Sequence, residues 1–211
     1  MKKITMSAIA LLAVTAAAGA TDLPSKKAPF VPVVANTSTD SLTAAYGQDL
    51  ANDFGAKTAD SYKLTYTHSF SNGFTIGGMA QTTQDTKNVV RQNLEAQVGY
   101  KAPAVYGVTF GGKVGVGERL ASTGNFPYYA IYGSADYKVT DKLTWNALGY
   151  RYRSAFDTGA YAYQTHRLTT GLTYDITKTY SVSATVYRNY DTTSSYNAKG
   201  DGFEVGLTAK F

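Results

Sequence analysis

The chain has 211 residues, 20 basic against 15 acidic side chains for a formal charge of +5, and no Cys. The missing Cys excludes a disulfide scaffold, a thiolate metal site, a Cys nucleophile and a lipid anchor on a Cys. The basic residues are scattered, so nucleic acid is not an expected partner, and a mean hydropathy of −0.23 excludes a helical membrane protein.

Residues 1–20 read as a secretory signal peptide. Lys2 and Lys3 precede an apolar run from Ile4 to Ala17, and Ala18-Gly19-Ala20 supplies a small-x-small cleavage site. The run is shorter than the roughly 20 residues a spanning helix needs. Residues 21–39 read as a Pro-rich periplasmic linker, because Pro24, Pro29 and Pro32 disfavour both helix and central strand. The segment Thr21-Asp22-Leu23-Pro24-Ser25-Lys26-Lys27-Ala28-Pro29 resembles the start of mature small outer-membrane proteins of α-proteobacteria.

Residues 40–211 alternate at the strand period. Leu42, Ala44 and Tyr46 mark a first strand. Tyr62, Leu64, Tyr66, His68 and Phe70 mark a second, followed by the hairpin signal Asn72-Gly73. Further strands are carried by Phe74–Ala80, Leu94–Tyr100, Val108–Val116, Tyr129–Val139 and Leu143–Ala147. The parity of that last run blurs toward Tyr150 and Tyr152. Leu168–Ile176, Tyr180–Val186 and Gly202–Phe211 complete the set. The links at Ser71–Gly73, Lys101–Ala104, Thr140–Lys142 and Thr177–Thr179 are tight. The alternate links, Gln48–Ala59, Thr82–Asn88, Leu120–Phe126, Ser154–Gly159 and Asp191–Gly200, are expected to be longer polar loops. Short turns alternating with long loops are the asymmetry of an outer-membrane barrel.

The final stretch is the cleanest. Phe203, Val205, Leu207, Ala209 and Phe211 point one way and Gly202, Glu204, Gly206, Thr208 and Lys210 the other. An unpaired amphipathic edge strand is a liability, and pairing it with the first strand closes a barrel. This ending resembles the terminal strand of bacterial outer-membrane β-barrels, whose final residue is commonly Phe. By that resemblance Phe203, Val205, Leu207, Ala209 and Phe211 form a signal for the barrel-assembly machinery. The expected fold is all-β: a transmembrane, antiparallel, up-and-down β-barrel of 10 strands with both termini periplasmic. An 8-stranded barrel is the alternative, if the first strand and one other segment are misread.

Tyr62, Phe70, Phe74, Tyr100, Tyr137, Trp145, Tyr174, Tyr180, Phe203 and Phe211 fall near strand ends, as interfacial girdles require. Small residues at mid-strand, such as Gly78, Ala96, Gly112 and Ala184, argue against a soluble sandwich core. The opposite parity places Lys63, Glu95, Lys113, Asp136, Lys138, Arg167, Asp175 and Glu204 as lumen-lining residues, with Thr65, Gln97 and Lys210 beside them. A barrel of this size is barely wider than one that its side chains fill. A plugged or very narrow interior is therefore expected over an open pore.

The two His residues are the candidates for chemistry. His68-Ser69-Phe70-Ser71-Asn72-Gly73 departs from the His-x-Ser-Asn motif of outer-membrane phospholipases and lipid A deacylases. His68 and Ser71 are three apart and face opposite sides of a strand. His166 lies near Asp157, an arrangement with a faint likeness to the Asp–His pair of the omptin proteases, but no omptin motif matches residue by residue. No two-His metal spacing, Walker loop or dinucleotide fingerprint occurs. No catalytic residue, metal or cofactor is expected. The sequence reads as an integral outer-membrane barrel with a structural or porin-like role, surrounded by outer-membrane lipid and lipopolysaccharide. A surface adhesin acting through its loops, or a rim-site enzyme using His166, are the alternatives.

Overall fold

Each alternating run forms a strand, and the strands close on one another. The computed structural model describes residues 38–122, 124–191 and 197–211. The expected signal peptide and the linker up to residue 37 lie outside the described residues. The strands are β1 (Thr39–Leu50), β2 (Lys57–Ser69), β3 (Phe74–Asp85), β4 (Val90–Lys101), β5 (Val108–Ala121), β6 (Phe126–Lys138), β7 (Leu143–Ala155), β8 (Gln164–Asp175), β9 (Tyr180–Asp191) and β10 (Asn197–Lys210). Each is antiparallel to its neighbours in sequence, and β1 pairs with β10 to close a ten-stranded barrel. The closing register runs from Ser41↔Lys210 to Leu50↔Asp201. Beyond it, Asp40 and Phe211 exchange two backbone hydrogen bonds, at 3.0 and 2.9 Å.

The strand lengths suit a bilayer. A 12-residue strand rising 3.3 Å per residue and tilted near 45° spans about 28 Å, close to the apolar height of a membrane barrel. The barrel is inside-out relative to a water-soluble protein. Leu64, Val98, Val114, Ile131, Leu172 and Leu207, drawn from six strands, are each about half exposed on the outer wall. Buried positions include Gln81, Asn93, Glu95 and Arg153. Apolar side chains around the whole circumference and polar ones within fit a solvent of lipid outside. Aromatic pairs sit at both rims. Phe74 meets Tyr100 edge-on at 5.2 Å on the rim that carries both barrel ends, and Tyr46 meets Tyr62 at 5.5 Å on the opposite rim.

The hairpins follow their turn chemistry. Phe70 N donates to Phe74 O and Gly73 N to Phe70 O, with Gly73 at φ +89°. This is a three-residue loop ending in a left-handed glycine, so Asn-Gly marks the right hairpin with one residue more than its two-residue form. The long-loop expectation needs correction. Thr82–Asn88 is mostly strand: β3 continues to Asp85 and turns through Asn88, whose φ is 61°. Asp85 Oδ1 holds that turn by accepting from Lys87 N and Val89 N, each at 2.9 Å. Gln48–Ala59 and Leu120–Phe126 shrink to residues 51–56 and 122–125. Polar residues there extend the strands, because on an inward or rim position a Gln or Thr is as good a strand residue as a Val. The expected loop at Ser154–Gly159 lies at 156–163. Part of Asp191–Gly200 lies outside the described residues.

The blurred parity of β7 has a structural cause. Ala135 pairs with Leu148 while Asp136 pairs with Asn146, so Ala147 is an extra residue in a β-bulge. The pairing with β8 slips at the same place. Past the bulge the outward set changes from Leu143 and Trp145 to Leu148, Tyr150 and Tyr152. Arg151 and Arg153 therefore face inward.

The outer wall offers a direct test. Ala184 is exposed on it, whereas its neighbour Ser183 faces in. Ala184→Arg is expected to lower the stability of the refolded barrel in bilayers by about 2–4 kcal/mol, while Ser183→Gln costs less than about 1 kcal/mol. Equal losses in a urea titration would reverse the assigned faces.

Candidate functional site

Residues on strands that are not neighbours can meet only by crossing the lumen, so such contacts define the interior. The strongest are on Glu95 of β4. Its carboxylate accepts from Tyr132 Oη at 2.5 Å, Gln97 Nε2 at 2.7 Å and Tyr128 Oη at 2.9 Å, and pairs with Arg153 Nη2 at 3.1 Å. Tyr128 and Tyr132 come from β6 and Arg153 from β7. A carboxylate offers about four acceptor sites, and all are used. Arg153 also reaches Gln81 on β3 at 3.4 Å. The Glu95 side chain is 0% exposed and that of Arg153 4% exposed. The network crosses the barrel from β3 and β4 to β6 and β7.

Glycines on β5 make room for it. A Cβ at Gly115 would lie 2.7 Å from Glu95 Oε1, and one at Gly117 2.8 Å from the Tyr128 ring. This close approach gives Gly115-x-Gly117 its packing role. A second plug lies toward the rim opposite the barrel ends. The 156–163 loop folds back so that Tyr161 stacks on Phe126 at 4.5 Å and Tyr163 meets Phe126 and Tyr128. Arg119 lies over the Tyr163 ring at 4.7 Å.

The other expected lumen residues occupy defined places. Lys63 on β2 pairs with Glu204 on β10 at 2.6 Å, reaching over β1. Arg167 on β8 donates to Asn189 Oδ1 at 2.7 Å, reaches Asp49 on β1 at 3.4 Å and lies 3.7 Å over the Tyr187 ring. Lys113 donates to Gln97 Oε1 at 3.2 Å and stands over Tyr132. Asp136 accepts from Asn146 at 2.9 Å, and Asp175 pairs with Lys210 at 3.0 Å. Lys138 stands apart: it is well exposed and pairs with Asp141 of the adjoining turn at 3.2 Å, a rim position rather than a constriction.

Sequence reasoning missed Arg151, Arg153, Asp49, Tyr128 and Tyr132. The signal for the arginines is the parity break in β7. An alternation that changes from odd to even within one strand marks an inserted residue, and everything beyond it changes face.

The histidines are held in aromatic surroundings on the outer wall. His68 Nδ1 lies 2.9 Å from Asp40 Oδ1, which also accepts from Tyr66 Oη, and its ring meets Phe70 edge-on at 4.4 Å. His166 Nδ1 lies 2.6 Å from Tyr150 Oη, and its ring is 4.8 Å from that of Tyr152. Asp157 Oδ1 instead accepts from the backbone N–H of Gly159 and Ala160 within its own loop. No group of three or more metal-ligating side chains occurs among the described residues.

The NanC porin is similar in structure, with a TM-score of 0.54 at 13% identity, over 81% of this chain and all of that one. The likeness is one of fold, a closed antiparallel β-barrel. The KdgM porin aligns at 14% identity over 81% of this chain and 99% of its own, with a TM-score of 0.44. The N-terminal β-barrel domain of Pseudomonas aeruginosa OprF aligns at 11% identity over 82% and 97%, with a TM-score of 0.41. No family model and no curated sequence matches the chain.

Proposed function

We propose that the protein is an integral outer-membrane β-barrel of a Gram-negative bacterium, with a porin-like fold and an interior closed to all but small solutes. Its role is in the integrity of the envelope, with at most slow passive diffusion through the lumen. The observation that carries this reading is the Glu95 network, which joins non-adjacent strands across the barrel and leaves its carboxylate without exposure. An open diffusion pore keeps such charges in water along its wall.

The residues that line the interior in this reading are Lys63, Glu95, Lys113, Asp136, Arg167, Asp175 and Glu204, with Lys138 at the rim. Outer-membrane lipid and lipopolysaccharide surround the outer face. The barrel-assembly machinery reads the pattern ending in Phe203, Val205, Leu207, Ala209 and Phe211. The resemblance of Thr21–Pro29 supports an α-proteobacterial type. The barrel is read as a non-enzyme: His68 is held by Asp40 and Phe70, and His166 by Tyr150 and Tyr152, on the outward faces of their strands and apart from the polar groups of the lumen.

The test is conductance of refolded residues 21–211 in planar bilayers. The wild type is expected to give no steps, or steps far smaller than those of an open porin. Glu95→Gln with Arg153→Met removes both charges of the plug and changes its lining. Large, stable wild-type steps would sink the closed-lumen reading.

A further inference from the structure

One inward row holds more positive charge than its neighbours answer. Cross-strand partners run Lys113↔Tyr132↔Arg151↔Arg167, over β5 to β8. Arg151 thus lies directly opposite Arg167, and Arg153 is two residues further along the same face. Like charges directly opposed on neighbouring strands repel. Each nearby carboxylate already has a cation: Glu95 pairs with Arg153, Glu204 with Lys63, and Asp49 with Arg167, which leaves Arg151 as the arginine of the row that no carboxylate meets. Arg151 forms no ion pair among the described residues, and its Nε is buried without a hydrogen-bond partner. Its charged surroundings are dominated by Arg167 and Arg153. The Lys113 amine likewise has an amide and a ring for neighbours rather than a carboxylate.

A buried donor on a permanently charged side chain needs a partner. The planar fork of arginine matches the oxygens of an oxyanion in pairs of parallel hydrogen bonds, and two opposed forks form a clamp. Arg151 as a whole is half-buried on the inward face. We propose that Arg151 and Arg167 form a lumenal binding site for a small inorganic oxyanion of the phosphate class, with Lys113 adding charge along the same row. The bound anion relieves the Arg151–Arg167 repulsion and supplies the missing acceptor to Arg151 Nε. This site rests on the reading of the molecule as a barrel with a polar lumen, but not on whether that lumen conducts.

The experiment is calorimetric titration of detergent-refolded residues 21–211 with inorganic phosphate at constant chloride. Saturable binding near one site per barrel is expected. Arg151→Gln should weaken it about tenfold or more, the scale of a lost charge-assisted pair. Arg91→Gln, which breaks a pair with Asp85 near the rim, should leave it unchanged. Arg151→Lys keeps the charge without the fork and should fall between. If Arg151→Gln does not refold, Arg151→Lys decides alone, and an affinity equal to wild type overturns the clamp. Absent binding, or binding indifferent to Arg151→Gln, overturns the proposal whatever the bilayer currents show. A non-conducting barrel that binds phosphate leaves it standing.

Discussion

Deleting Val114 from β5 is expected to abolish the folded, heat-resistant barrel, whereas deleting Ala147 from β7 is expected to leave it intact. Both are single deletions within a strand. Val114 sits in an unbroken alternation that pairs on both sides, with Val98 on β4 and Ile131 on β6. Its loss reverses one half of the strand. Either Val116 turns into the lumen and Arg119 out, or Phe110 turns in and Lys113 out. A Lys or Arg on the lipid wall costs about 2–4 kcal/mol at mid-depth, and the ladder to both neighbours breaks as well. Ala147 is already the surplus residue of a bulge. Without it, Asn146 stays inward and Leu148 outward, and Arg151 and Arg153 keep their faces. Gel mobility of boiled and unboiled samples separates the outcomes. Failure of both deletions would show that the bulge shapes the barrel rather than absorbs a residue.

The second large effect lies at the plug. Glu95→Ala leaves Arg153 buried with no carboxylate and removes an acceptor from Tyr128, Tyr132 and Gln97. Breaking a buried ion pair from one side costs about 3–5 kcal/mol. Pairing Glu95→Gln with Arg153→Met removes both charges together and should recover most of that loss. Trp145 is the only Trp and is exposed on the outer wall, so its fluorescence reports urea unfolding in lipid vesicles. A loss below about 1 kcal/mol for Glu95→Ala would mean that water solvates the pair and that the lumen is wetter than the geometry implies.

The architecture was legible because a membrane barrel writes its faces directly into the chain. Leu64, Val114, Leu172 and Leu207 point outward in the sequence and in the structure, and ten strands close in the expected order. Strand ends were less legible. Composition alone cannot tell a polar loop from a polar strand end, and Thr82 to Asp85 went the wrong way for that reason. The lumen was partly legible. Inward parity finds Glu95, Lys63 and Glu204, but it does not reveal which groups meet across the barrel, since that depends on curvature and stagger. Arg151 and Arg153 were hidden by one residue. Counting in twos from Trp145 places them in lipid, and only the clash of that result with their charge points to Ala147. Asp49 was hidden by its assignment to a loop.

The β1–β10 seam carries a consequence for how the molecule comes to exist. The hydroxyls of Thr43 and Thr208 lie 2.8 Å apart across it, at positions 165 apart in the chain. Nine of the ten pairings are local hairpins, and the tenth is as distant as the chain allows. Until that tenth forms, β1 and β10 each offer an open hydrogen-bonding edge, and the interior charges lack the wall that shields them. Completion is therefore a single late event with a large entropic barrier, and the unclosed sheet is the species most prone to pair with another copy. A cell that makes this barrel must hold the chain apart from its own kind until both edges arrive at one place in the lipid.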